Sequence, residues 1–236
     1  MKAGIAAYSL IIILTFAEAL AAEIKWEVVP QQTKLQIAAS LALKRVITNH
    51  PRWKLRKELN QWIETGHVVL NNQTKFFRAS QAAVTTVRRP DDSYQLVLAF
   101  SPNWMLSPNI SEQKRYLVIW HEYMHIRQIE EKRFPVEYFA LENSADEMTA
   151  EEARCNFMGE IEAYESECIL ADEINARDVV DICRSYYTAH RRGLRRAYAE
   201  LLLDLKPSFK PQRDLIRSLA DESDNVYDKR IDCRQP

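Results

Sequence analysis

The chain has 236 residues, 47% of them hydrophobic and 28% charged, with a formal net charge of -1. This composition suits one compact domain with a real core and excludes a disordered chain, and the near-zero charge excludes whole-molecule attraction to nucleic acid or an anionic membrane. Only four glycines, against many Ala, Leu, Glu and Arg, favour a helix-rich fold.

The N-terminus reads as a targeting segment. Lys2 precedes an apolar stretch from Ile5 to Phe16, and Ala19-Leu20-Ala21 fits a small-x-small cleavage site. Residues 1–21 are therefore expected to be a signal peptide, with a mature protein starting near Ala22 and exported to a periplasm or secreted. The alternative is an uncleaved anchor, but Glu18 interrupts the apolar run after about fifteen residues, short of the roughly 20 that span a bilayer. No second such run follows, so residues 22–236 are expected to form one domain with no stable membrane insertion.

Residues 33–47 place apolar side chains at helical spacing, and a second helix is expected over 52–65, stopped by Gly66. "FFRASQAAVTTVRR" and "SYQLVLAF" (76–89 and 93–100) are rich in Val, Thr, Phe and Tyr around the turn signal "PDDS", which predicts an antiparallel hairpin. Ser111 opens a long helix to about Arg133, before Pro135. Thr149 and Glu152 form a capping box for a helix to about Asp172. A further helix is expected over 176–205, before Pro207, and a short one from Gln212. The expected class is α+β: a helix-rich single domain with a small hairpin before the long helix and a helical C-terminal half.

In an exported chain the four cysteines, Cys155, Cys168, Cys183 and Cys233, are expected to form disulfides. No C-x-x-C spacing suggests a cysteine metal site. Cys155 and Cys168 lie thirteen apart on one helix, about 20 Å, too far to bridge. Cys168 and Cys183 are equidistant from the turn near 173–177, as cross-hairpin partners would be. The expected pairs are Cys168–Cys183 and Cys155–Cys233.

The long helix carries "HEYMH". His121 and His125 are about 40° apart on one face, one turn along, and can reach one metal ion. Glu122 is rotated about 100° from His121, which suits a base beside the metal better than a ligand. Such a carboxylate accepts a proton from a zinc-activated water and passes it to a leaving amine. Gln128, seven after His121, shares that face and is a candidate to contact a ligand or support the site.

A zinc site with two histidines needs a third protein ligand. On the 149–172 helix, Ala150, Ala153, Phe157, Ile161, Tyr164 and Cys168 define an inward face. Glu160 lies on its flank and is the expected ligand; Glu162 points away to solvent, and Glu167 is the reserve candidate. H-E-x-x-H followed on a later helix by "EIEAY" resembles the gluzincin branch of zinc metallopeptidases, over roughly residues 75–170. The resemblance implies a zincin-like fold with a small sheet ahead of the motif helix. It implies Zn2+ held by His121, His125 and Glu160, Glu122 as general base, and a peptide or protein substrate. Where several such families have an aspartate four after the ligand glutamate, this chain has Tyr164, a candidate either to orient a ligand or donate to an oxyanion, or else a core aromatic. Tyr187 and His190, with Tyr186, are further candidate donors on the following helix. His50 and His67 have no partner spacing and read as incidental. The alternative function is a catalytically inactive zincin fold that binds a metal or a partner, and a more remote one is a disulfide-stapled helical interaction protein.

Residues 130–173 hold fourteen acidic and three basic side chains, whereas "HRRGLRRAY" carries four arginines. Such runs are ordinarily solvated faces.

Overall fold

The computed structural model describes residues 33–73, 81–139, 149–205, 213–221 and Cys233. The expected signal peptide, residues 76–80 of the expected hairpin and Gln212 lie outside them. The order is α1 (Lys34–Asn49), α2 (Trp53–Glu64), β1 (Val68–Asn71), β2 (Ala82–Arg88), β3 (Tyr94–Phe100), α3 (Pro102–Leu106), α4 (Glu112–Glu130), α5 (Ala150–Glu173), α6 (Cys183–Leu205) and α7 (Arg213–Asp221). The fold is α+β and helix-rich. No described helix is long and apolar enough to cross a membrane.

Local chemistry sets the helix starts. Thr33 and Gln36 form a capping box at α1, Ser111 Oγ accepts from Lys114 N at the start of α4, and Thr149 and Glu152 form the expected box at α5. Gly66, at φ 70°, turns the chain from α2 into β1, a conformation glycine adopts without a Cβ penalty.

The sheet has the order β1-β3-β2. β2 and β3 form the expected antiparallel hairpin, with Thr85 opposite Val97. β1, not foreseen, runs parallel to β3 with Val69 opposite Val97. All four of its residues are buried, so it shows no alternation to read. Leu96, Leu98 and Phe100 of β3 enter the main core with Leu43, Leu55, Leu59, Leu117 and Ile126. Val97 and Ala99 pack on the opposite face with Val87. β2 is an edge strand and lies beside α4.

Three sequence expectations need correction. α4 ends at Glu130 rather than near Arg133, because Glu131 caps it and Lys132 takes φ 54°. The helix expected over 176–205 is divided: a 3₁₀ turn covers Arg177–Val179, α6 begins at Cys183, and Ala189 and His190 break it. Gly193 permits that break, since a Cβ there would overlap the Ser185 carbonyl oxygen. His50 is not incidental. It is fully buried, stacks on Trp120 with ring centroids 5.9 Å apart, and ties the end of α1 to α4.

The Arg52 N–H donates to His50 Nδ1 at 3.1 Å, so Nε2 carries the proton and donates to the Tyr116 carbonyl at 3.0 Å. Burial, helped by the Arg52 and Arg56 charges and opposed by these hydrogen bonds, lowers its pKa to about 4. Its folded pKa lies below the unfolded value, so acid favours the unfolded chain between those two values and has no effect through this group above them. The stability deficit of His50→Asn relative to the parent should therefore shrink by about 1.4 kcal/mol per pH unit as pH falls from about 6.5 to about 4. Denaturant unfolding across that range checks this; a deficit independent of pH would contradict it.

Candidate metal centre

The centre forms where α4 crosses α5 beside the edge of the sheet. α4 supplies His121, Glu122, His125 and Gln128, all buried. α5 supplies Glu160, Tyr164 and Glu167, and the backbone of β2 supplies the Val84 N–H.

The crossing is close because Gly159 has no side chain. A Cβ there would stand 2.9 Å from Phe134 Cε1 and 3.3 Å from Gln128 Oε1. The Gly159 carbonyl instead accepts from Gln128 Nε2 at 2.9 Å. Gln128 Oε1 then takes the His125 Nδ1 proton at 3.0 Å. Glu167 Oε2 takes the His121 Nδ1 proton at 3.1 Å. With both Nδ1 atoms committed as donors, the neutral rings present their Nε2 lone pairs, and the two Nε2 atoms lie 3.1 Å apart. Glu160 closes the triangle, its Oε2 3.3 Å from His121 Nε2 and its Oε1 3.6 Å from His125 Nε2.

Two lone pairs and a carboxylate converging in one site repel one another unless a proton or a metal cation sits among them. One ligand atom from each of His121, His125 and Glu160 lies within 4.8 Å of the others. Two imidazole nitrogens and a carboxylate oxygen form a donor set that fits a transition-metal ion. The group can hold a metal ion. Glu160 also keeps 31% of its side chain exposed, so the centre opens to solvent on that side.

The protonation tendencies of the metal-free cluster follow from the same crowding. Burial alone would lower the histidines, but the neighbouring carboxylates outweigh it: His121 is raised well above its ordinary value by Glu160 and Glu167, and His125 is raised chiefly by Glu160. Burial pushes Glu160 up, yet the two histidines bring its carboxyl below the usual range. Glu122 is raised by burial, a rise that the histidines and the Val84 N–H restrain. Burial, with the charges of Glu160, Glu167 and Glu122, raises Tyr164 well above an ordinary phenol. Its ring meets His121 edge-on at 4.4 Å between centroids.

The other sequence-predicted residues are distributed as follows. Tyr187 Oη donates to the Cys168 carbonyl at 2.9 Å, two turns and about 12 Å along α5 from Glu160. His190 is exposed at the break in α6 and Tyr186 packs edge-on against it. Neither Tyr187 nor His190 joins the cluster. Both disulfides are present, Cys155–Cys233 and Cys168–Cys183, with Cα atoms 5.9 and 5.3 Å apart. Glu167 contacts the Nδ1 side of His121, away from the point where Nε2 and Glu160 meet.

Glu162 does not point to solvent as expected. Arg133 Nη1 donates to its Oε2 at 2.7 Å and Gln128 Nε2 lies 3.3 Å from the same oxygen. The buried Arg133 guanidinium, also paired with Glu131, draws the carboxylate against the end of α4. His67 pairs with Glu130 at 2.6 Å. The Val84 contact, a backbone donor 2.8 Å from Glu122 Oε2, has no sequence signature. The stripe Glu160, Tyr164 and Glu167 has one, in its i, i+4, i+7 spacing.

Comparison with protein-family models, curated proteins and solved structures finds no match for this chain. The reading of the centre rests on its own geometry.

Gly159→Ala should press on the buried Phe134 ring and on Gln128. The expected result is a loss of about 1–3 kcal/mol of stability, together with weaker metal binding through the displaced His125. Thermal unfolding and metal titration check it; a variant equal to the parent in both would contradict it.

Proposed function

We propose that this chain is an exported, zinc-dependent metallopeptidase of the gluzincin type, hydrolysing a peptide bond in a peptide or protein substrate. The observation that carries the reading is the convergence of His121 Nε2, His125 Nε2 and the Glu160 carboxylate on one point, with Glu122 buried beside it. A zinc ion bound by those three residues supplies Lewis acidity, which acidifies water and polarises a carbonyl.

The chain's own groups then have definite tasks. The Val84 N–H holds Glu122 Oε2 at 2.8 Å, leaving Oε1 as the proton acceptor. Burial raises the Glu122 pKa above an ordinary carboxyl, which brings its basicity closer to what proton transfer at neutral pH needs. Water oxygen bonds to the carbonyl carbon, Glu122 takes one water proton, the C–N bond breaks, and Glu122 returns the proton to the leaving amine. Tyr164 stays a neutral phenol against His121 and is the nearest candidate donor to the oxyanion. Two disulfides fit a protein outside the cytoplasm, which supports export.

A second reading, a metal-binding protein that hydrolyses nothing, draws on the placement of Tyr187 and His190 away from the cluster. That leaves Tyr164 as the one predicted donor beside it.

Glu122→Gln discriminates the two. A mixed peptide library followed by mass spectrometry should show cleavage by the parent that a chelator stops and added Zn2+ restores. The variant should keep its metal and lose about 100-fold or more of the rate. Cleavage that survives the substitution would refute the mechanism, and no cleavage by either protein would favour the second reading.

A further inference from the structure

His121 is the only side chain of the cluster with both ring nitrogens turned to α5. Its Nε2 lies 3.3 Å from Glu160 and its Nδ1 3.1 Å from Glu167, two carboxylates seven residues apart. Tyr164 lies between them on the same stripe, edge-on to the ring. The imidazole therefore runs along the i, i+4, i+7 face of the helix. We propose that Glu167 is the positioning residue for His121, setting how strongly that histidine binds the metal. The inference rests on reading His121, His125 and Glu160 as a metal site.

Three observations carry it. First, Glu167 is only 3% exposed, and among the described residues His121 is its only hydrogen-bond or ion-pair partner. A carboxylate so buried needs positive charge nearby. His121 is the group through which that charge reaches it, with a proton or a metal cation on Nε2. Second, the two histidines are backed unequally. His125 Nδ1 donates to the neutral amide oxygen of Gln128, whereas His121 Nδ1 donates to a carboxylate, a bond roughly twice as strong that also raises the ring's basicity. His121 is thus the stronger ligand of the pair. Third, the backbone bearing Glu167 is fixed. The next residue, Cys168, is bridged to Cys183, and its carbonyl accepts the Tyr187 hydroxyl at 2.9 Å. A rigid support of this kind keeps a ligand in its binding orientation before the metal arrives.

The test uses the full chain, with Zn2+ affinity from competition with a chromophoric chelator and the visible spectrum of the Co2+-loaded protein. Glu167→Gln keeps the shape and removes the charge. It should bind Zn2+ about 10- to 100-fold more weakly and shift the Co2+ bands. Glu167→Asp should recover part of the affinity. Overturning results are a Gln variant within about twofold of the parent and an unchanged Co2+ spectrum, or one that loses only metal-free stability. A parent that takes up neither ion removes the metal reading and this assignment together; a parent that binds while Glu167→Gln equals it removes this assignment alone.

Discussion

Two imidazole Nε2 atoms held 3.1 Å apart, both turned toward Glu160, are the constraint around which the rest of the structure is arranged. Neither ring can turn away, because Glu167 and Gln128 hold the opposite nitrogens. The buried cluster also collects three carboxylates, Glu122, Glu160 and Glu167, around the two rings. Without a metal ion these carboxylates draw protons onto the two rings. A divalent cation can take the place of those protons, with each Nε2 lone pair and the Glu160 carboxylate as its ligands. The same geometry can therefore hold a metal ion, in competition with protons.

Holding the rings this way requires α4 and α5 to approach closely, and the surrounding residues serve that approach. Gly159 clears the crossing, and its carbonyl orients Gln128. Beyond Gln128, a polar chain continues through Glu162 to Arg133, whose carbonyl accepts the backbone N–H of Cys233 at 2.7 Å. The Cys155–Cys233 bridge closes that chain back onto α5, so the C-terminal cysteine is tied to the support of His125. At the other end of α5, Cys168–Cys183 secures the turn that carries Glu167. Each histidine thus has a disulfide behind its hydrogen-bond partner. The acidic and basic runs have a share in this frame too: Glu165 pairs with Arg191 at 2.6 Å, and Arg177 pairs with Asp172 and Arg52 with Glu173.

The parts legible in the sequence were those whose causes are local. The histidine spacing, the capping box at Thr149, the β2–β3 turn and the Cys168–Cys183 pair follow from periodicity or from distance along the chain, and Cys155–Cys233 then follows by elimination. Helix angle alone separates Glu160 from Glu162, and the structure brings Glu160 to the histidines. What was not legible depends on contacts made across the fold. β1 has no alternation because neighbours cover both its faces. The break at Ala189 and His190 follows from how the two halves of α6 meet at Gly193. Glu162 reads as solvent-facing because its partner, Arg133, lies in a turn of another element. His50, in a loop by sequence, is buried because Trp120 and Tyr116 close over it.

The central claim, that this cluster is a metal site assembled by three residues, is tested most directly by the metal content of the purified protein by mass spectrometry, with Glu160→Ala prepared alongside. The account predicts about one metal ion per chain in the parent and far less in the variant. A parent that holds no metal after refeeding with Zn2+, or a variant that holds as much as the parent, would contradict it.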